Sequence, residues 1–274
     1  MSAEGAATER FRLDGRVAVV TGACGRLGPV WVEALLDAGA RVAALDLPDA
    51  PVPPALQRLL DRHGDALRLY HADVRVRETL EAARERCEAE LGPVRILVNN
   101  AGIDQPPGPA QTWTLDQVPA RQFHDVLAVN VTGAFQAAQV FGAGMVAAGD
   151  GAIVNIGSLY ATVSPDARLY DHLDLDPPFL KPPAYGASKS ALIGLTRYLA
   201  AHWGPHGVRV NSLSPGGVRG GQDPRFREKF EARVPLGRMA EPADLGGPLV
   251  FLASPAASYV NGIDLRVDGG YAVW

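Results

Sequence analysis

Val17-Ala-Val-Val-Thr21-Gly22-Ala-Cys24-Gly25-Arg26-Leu27-Gly28 is an apolar, largely β-branched run that breaks into three evenly spaced glycines. Residues 17–21 read as a strand buried on both faces, because no polar residue alternates with the apolar ones. The glycines let the chain turn tightly and approach a ligand with no Cβ in the way. The pattern across 26–38 predicts a helix whose N-terminus faces the turn, where free amides and the helix dipole favour an anion. Strand, glycine-rich turn and helix in this order can hold the pyrophosphate of a dinucleotide. A purely structural turn in a sheet protein is the competing reading. Gly22, Cys24, Gly25, Arg26, Leu27 and Gly28 are therefore candidate cofactor residues, with Cys24 a small filler rather than a reactive thiol.

Working outward, apolar runs at 41–46, 67–70, 95–99, 151–156, 208–213 and 263–267 predict six more strands. Helical patterns over 55–63, 76–91, 123–148 and 184–203 separate them, the third entered after a loop rich in Pro and Gly. This alternation predicts an α/β fold: a doubly wound, parallel, seven-stranded Rossmann-type sheet with helices on both faces. Residues 13–274 read as one domain behind a loose tail, 1–12, since 274 residues at 47% hydrophobic content can build one large core.

Ligands of such sheets sit beyond the carboxyl ends of the strands. Asp46 closes the second strand, where a carboxylate accepts both hydroxyls of an adenosine ribose and repels a 2′-phosphate. NAD(H) is favoured on that ground, and Arg26 keeps NADP(H) open. Leu47 follows on the same edge. Asp73-Val74, after the third strand, can hold an adenine edge, or Asp73 can cap the next helix. Asn99-Asn100-Ala101-Gly102 ends the fourth strand in small residues against which a nucleotide can lie.

Tyr185 and Lys189, four apart on a predicted helix, share one face. The chain has three lysines against 23 arginines, so lysine here is a choice of chemistry. A compact ammonium beside a phenol stabilises the phenolate and lowers its pKa from about 10. The phenol then exchanges protons near neutral pH. A surface aromatic with a solvated charge one turn away is the plainer alternative.

Net charge is −4 and no basic run points to nucleic acid. No apolar segment is expected to be long enough to cross a membrane. Two cysteines, Cys24 and Cys87, and six scattered histidines give no disulfide framework and no metal site. The N-terminal segment lacks the apolar stretch of a signal peptide, and a cytoplasmic protein is expected.

Together, Thr21–Gly28, Asp46, Asp73, Asn99–Gly102, Asn130, Ser158, Tyr185, Lys189, Pro215-Gly216 and Val267-Asp-Gly-Gly270 resemble the short-chain dehydrogenase/reductase family, compact single-domain branch, across nearly the whole chain. The resemblance implies hydride transfer between a nicotinamide dinucleotide and a secondary alcohol or ketone, and a homodimer or homotetramer. It implies that Tyr185 exchanges a proton with the substrate oxygen and that Lys189 lowers its pKa and binds the nicotinamide ribose. Ser158 would polarise the substrate carbonyl, and Asn130 would hold a water linking Lys189 to solvent. Pro215, Gly216 and Val218 would lie along the nicotinamide.

Three departures stand out. The glycines read Gly-x-x-Gly-x-x-Gly rather than Gly-x-x-x-Gly-x-Gly, a form more typical of the extended branch of epimerases and dehydratases. After Pro215-Gly216, Val218 offers no hydroxyl for the nicotinamide carboxamide, which suggests a more mobile loop. Ser158 and Tyr185 are separated by an insertion within 159–184 that carries Asp166, Arg168, Tyr170, Asp171, His172, Asp174 and Asp176. It is expected to wall the pocket and favour a polar, sugar-like or polyhydroxylated substrate; a solvated flap or an oligomer contact are the alternatives. Residues 216–241 form a candidate lid, with a helix near 225–232. An NAD-using epimerase or dehydratase, and a non-catalytic dinucleotide sensor, are the competing functions.

Overall fold

The computed structural model describes residues 7–105 and 113–274. Residues 1–6 of the expected tail, and part of the Pro- and Gly-rich loop, lie outside the described residues. Seven strands form one parallel sheet in the order β3-β2-β1-β4-β5-β6-β7. They are β1 (Val17–Thr21), β2 (Arg41–Asp46), β3 (Leu67–His71), β4 (Val94–Asn99), β5 (Gly151–Ile156), β6 (Val208–Pro215) and β7 (Asp264–Val267). The strand order reverses between β1 and β4, which opens a crevice at their carboxyl ends.

Strand alternation divides the interior into two layers. Ala18 and Val20 of β1 point to one layer, with Trp31, Leu35, Leu56, Leu245, Leu249 and Leu252. Val17 and Val19 point to the other, with Leu80, Phe141, Met145 and Leu199. The first layer is roofed by α1 (Gly28–Asp37), α2 (Pro54–His63) and a helix the sequence reading did not anticipate, Ala243–Ala253. The second is roofed by α3 (Arg77–Glu90), α5 (Ala134–Ala148) and α6 (Pro183–Trp203).

The expected helix over 123–148 is composite. α4 (Ala120–Leu127) passes through a π-helical segment, Ala128–Gly133, into α5. Such wide turns occur mostly where a side chain is re-aimed for function, and this one carries Asn130. The continuous run Ala120–Ala148 also corrects the expectation about membranes: by length and a mean hydropathy of 1.3 it is apolar enough to span one. Ala137, Ala138, Phe141 and Met145 of this run are buried in the second layer, as in a core helix.

Polar residues knit the centre of the sheet. Asn99 Nδ2 donates to Asn155 Oδ1 at 2.8 Å across the β4–β5 register pair, and Asn155 Nδ2 donates to Thr196 Oγ1 at 2.8 Å. Thr196 Oγ1 in turn lies 3.2 Å from Ser212 Oγ on β6. All four side chains are buried and each makes at least one of these bonds, although Asn99 Oδ1 has no partner among the described residues.

Residues 10 and 11, expected to be loose, are held. The Arg10 guanidinium donates to Pro255 O and Ser258 Oγ, and the Phe11 ring packs at a tilt against that of Phe251.

A third apolar cluster lies outside the sheet. Leu159, Leu169, Tyr170 and Phe179 from the 159–184 segment pack with Phe230, Val234, Met239 and Tyr271. Residues 216–241, which include α7 (Pro224–Glu231), thus share a small core with the insertion. Two ion pairs stitch the same seam, Asp166 Oδ2–Arg233 Nη2 at 2.7 Å and Asp171 with Lys229, and His172 Nε2 lies 3.1 Å from Asp223 Oδ1. Asp166 and Asp171 are therefore paired with Arg233 and Lys229 of residues 216–241, Asp166 also with Arg168, and Asp174 and Asp176 are exposed.

Candidate active site

A cleft of about 1320 Å³ runs along the carboxyl ends of the strands, from Asp46 and Leu47 past the glycine turn to Ser158, Tyr185 and the insertion. That exceeds the usual volume of a pocket for one small ligand, roughly 300–1,000 Å³, and leaves room for a dinucleotide with a second molecule.

The glycine turn is shaped by backbone proximity. A Cβ on Gly22 (φ +65°) would sit 2.7 Å from Ala101 Cα, and one on Gly28 would sit 2.2 Å from Ala23 O. Glycines at 22 and 28 match the compact-branch pattern, whose middle glycine position is filled here by Arg26. Its guanidinium donates to Val218 O and lies against Gly220. The departure in glycine spacing is thus one side chain that bridges from the turn to the opposite wall.

Asp46 anchors the far end. Oδ2 accepts the Cys24 N–H at 2.7 Å and Oδ1 accepts the Leu47 N–H at 2.8 Å, which aims the carboxylate into the cleft. Burial, with the Asp46 charge beside it, pushes the Cys24 thiol up to about 11. Cys24 thus stays a neutral filler. Asp73 and Val74 line the cleft, but the Asp73 carboxylate is held by the Arg75 N–H at 2.9 Å and by the Arg75 guanidinium. It does not cap α3, whose N-cap is Val76 with no side-chain bond. Asn100 is turned inward, its Nδ2 donating to Thr21 O and Gly22 O, so it ties β4 to the glycine turn. Asn100, Ala101 and Gly102 border the cleft, as do Pro215, Gly216 and Val218.

The loop after β6, expected to be mobile without its hydroxyl, is tied down. Val218 O accepts from Arg26 and, at 2.7 Å, from Gln222 Nε2, while Arg219 N and Ala240 N pair with Ala240 O and Gly217 O at 2.8 Å.

Tyr185 and Lys189 meet on one face of α6. The Lys189 ammonium is 5.7 Å from the Tyr185 ring centroid and donates to Ile156 O at 2.7 Å. Ser158, at the end of β5, lines the same recess and accepts the Tyr160 N–H at 3.2 Å. Asn130 is fully buried: Oδ1 accepts the Ile103 N–H at 2.8 Å, and Nδ2 donates to Ile103 O at 3.1 Å and Ser188 Oγ at 3.0 Å. Both amide hydrogens are thereby committed to fastening the β4 exit to α6. A Cβ on Gly102 would lie 3.3 Å from Asn130 Oδ1 and 3.6 Å from Lys189 Nζ, so this glycine keeps the two groups adjacent.

The electrostatics correct one expectation. The Tyr185 phenol is pushed up, not down: burial dominates, the Asp104 charge adds to it, and the neighbouring Ser158 hydroxyl opposes it. Burial pushes the Lys189 ammonium down to about 8, with Asp104 pulling the other way. The sequence reading counted the ammonium and not the desolvation that accompanies it.

That reading also missed Asp104 and Lys181. Lys181 Nζ lies 2.6 Å from Asp104 Oδ2 and 5.2 Å from the Tyr185 ring centroid, and both residues line the cleft. The scarcity of lysine was the available signal, because all three lysines border the cleft or its lid.

The chain matches the short chain dehydrogenase family over residues 16–170 and the family described as enoyl-(acyl carrier protein) reductase over residues 178–272. It is 43% identical over 270 residues to the galactitol 2-dehydrogenase (L-tagatose-forming) of Cereibacter sphaeroides, covering 96% of this chain and 98% of that one. It is 38% identical over 269 residues to the D-threitol dehydrogenase of Mycolicibacterium smegmatis, covering 96% and 95%. Among solved structures, a gluconate 5-dehydrogenase from Burkholderia cenocepacia in complex with NADP and tartrate superposes with a TM-score of 0.84 at 31% identity, covering 98% of this chain and 99% of that one. With its seven-stranded parallel sheet and these relatives, the chain belongs to the short-chain dehydrogenase/reductase family of NAD(P)-dependent oxidoreductases.

Proposed function

We propose that the chain is an NAD(H)-dependent dehydrogenase that interconverts a secondary hydroxyl of a polyhydroxylated small molecule with the ketone. One observation carries the reading: Tyr185, Lys189 and Ser158 border one end of a cleft whose other end is closed by the Asp46 carboxylate. Relatives named for galactitol and threitol supply the substrate class.

The fit of the dinucleotide follows from the cradle. The turn at Gly22 and Gly28 admits no Cβ, so its backbone and the α1 N-terminus are free to face a pyrophosphate. Both Asp46 oxygens already accept one amide each, and their remaining lone pairs suit the two ribose hydroxyls. A 2′-phosphate would meet that carboxylate at close range, while Arg26 is committed to Val218 O. NAD(H) is therefore favoured over NADP(H). The bound nicotinamide supplies the hydride donor or acceptor and, when oxidised, a positive charge beside the phenol.

The chain's own residues handle the proton. In reduction the Tyr185 hydroxyl donates to the developing alkoxide; in oxidation its phenolate accepts the proton of the alcohol. The Ser158 hydroxyl donates to the substrate oxygen and stabilises its developing charge. The Lys189 ammonium favours the phenolate and binds the ribose hydroxyls. Asn130 acts through position, holding the β4 exit and α6 in register so that Lys189 and Gly102 adjoin. On this reading the enzyme works in the cytoplasm as a homodimer or homotetramer. The outer faces of α5 and α6, where Phe135 and Tyr198 are exposed, are its assembly surfaces.

The test is NADH formation with a panel of polyols, run beside Tyr185→Phe. The variant should bind NADH as the parent does and lose about 10²–10⁴-fold in turnover, the usual worth of a general acid–base group. A variant that turns over at the parental rate would remove Tyr185 from the chemistry.

A further inference from the structure

We infer that the Asp104–Lys181 ion pair is a substrate-recognition element that selects uncharged vicinal polyols over sugar acids. The inference rests on the dehydrogenase reading above and names the substrate class of the same site.

The pair joins two segments far apart in the chain. Asp104 lies just beyond β4, and Lys181 sits at the end of the insertion, immediately before the two prolines that open α6. The Lys181 side chain retains only 7% of its exposure. Its ammonium lies over the rings of Tyr160 and Tyr185, 5.9 and 5.2 Å from their centroids. A buried ammonium persists only if it is paired, and Asp104 Oδ2 at 2.6 Å pairs it. Asp104 Oδ1 is fixed in turn by the Gln105 N–H at 2.8 Å. The pair is thus nearly neutral overall, its ammonium buried and its carboxylate 41% exposed, and it is set against the phenol assigned to the proton.

Its hydrogen-bonding capacity defines what it can read. The ammonium has three donor hydrogens, of which the carboxylate takes one, and the carboxylate has lone pairs beyond those used by Lys181 and Gln105. A hydroxyl both donates and accepts. Two adjacent hydroxyls can therefore meet the donor and the acceptor of the pair together. A carboxylate on the substrate has no hydrogen to give Asp104 and is repelled by it. The positive charge that would bind such an anion is already spent. Aromatic faces of Tyr160, Tyr170 and Phe226 line the same part of the cleft and suit the C–H edges of a carbon chain.

The experiment compares galactitol with gluconate, a neutral and an acidic six-carbon chain, on the full-length enzyme, on Asp104→Asn and on Lys181→Met. Turnover with NAD is measured, and binding to the enzyme–NADH complex is measured separately by calorimetry. The parent should bind galactitol at least about tenfold more tightly than gluconate, on the scale of one hydrogen bond to a charged group. Asp104→Asn, which frees the ammonium, should shift the ratio about tenfold or more toward gluconate. Lys181→Met should weaken galactitol about tenfold or more through KM, with NADH affinity unchanged as the check on folding. Equal binding of the two compounds by the parent, or a ratio that Asp104→Asn leaves unmoved, would overturn the proposal. Binding preference without turnover of either compound would leave it standing and reject the polyol-dehydrogenase reading instead.

Discussion

The Cys24 amide donates to Asp46 Oδ2 at 2.7 Å, so the same carboxylate that faces the cleft also fastens the glycine turn to the end of β2. On the proposed reading, cofactor choice and the shape of the turn are therefore coupled at one side chain. Asp46→Ser should remove the repulsion toward a 2′-phosphate and the paired ribose contacts together. The preference for NAD over NADP, read as a ratio of kcat/KM, should fall by about 10–100-fold, the worth of hydrogen bonds to a charged acceptor. Parent enzyme that uses both dinucleotides equally would contradict the assignment of Asp46.

Lys189 gives the site a pH signature. Its folded value of about 8 lies below the ordinary 10.5, so between those limits the folded chain binds fewer protons than the unfolded one. Its contribution to stability therefore grows as pH rises from about 8 and is complete near 10.5. Urea unfolding of parent and Lys189→Met across that range should show the difference moving in the parent's favour. In a lysine-labelled sample, an NMR signal absent from the variant should titrate near 8. A titration near 10.5 would mean that the ammonium is not desolvated.

Two glycines make a contrast that checks the turn. Gly28→Ala would force a Cβ to within 2.2–2.6 Å of three Ala23 backbone atoms, so the turn must open and dinucleotide affinity must fall sharply. Gly194, mid-helix in α6, has nothing within 4 Å of its Cβ position. Gly194→Ala should stabilise the fold by about 1 kcal/mol through helix propensity alone. Thermal melts and NADH titration read both, and an unaffected Gly28→Ala variant would refute the close packing.

Arg233 joins residues 216–241 to the 159–184 segment through Asp166. The Asp166 carboxyl is held down at about 2, first by its hydrogen bonds from Arg168 and then by the charge of Arg233. Arg233→Met should cost less than about 1 kcal/mol in global stability, as for partly exposed ion pairs. It should still raise KM for the polyol severalfold, because the lid then samples open positions, while NADH affinity is unchanged. An unchanged KM would show that the shared apolar cluster closes the lid unaided.

The strands were legible because each is a short, nearly continuous apolar run, and β1 and β5 were read to the residue. The helix Ala243–Ala253 was not, because Gly246-Gly247-Pro248 in its middle mimics a loop; burial of Leu245, Leu249 and Leu252 outweighs that local penalty. Nor was the π-helical segment at 128–133 legible, since small and apolar residues on every side of it hide the phase shift that an extra residue per turn introduces. Tyr185, Lys189, Ser158 and Asn130 could be singled out by pattern and resemblance, whereas Asp104 and Lys181 stand in irregular segments 77 residues apart and acquire meaning only when those segments meet. The phenol's direction of titration was likewise out of reach, being set by burial.

The hydrogen-bonded chain from Asn99 through Asn155 and Thr196 to Ser212 admits a single alignment of three strands and a helix, because any slip strands a buried amide. On the proposed reading the reactive groups stand on that deck, while most groups at the substrate end of the cleft hang from 159–184 and 216–241. Replacing those outer segments need not move a proton-handling atom. A lineage built this way can trade one sugar alcohol for another by rewriting its overhang, and laboratory grafts between relatives should succeed at the same two joints.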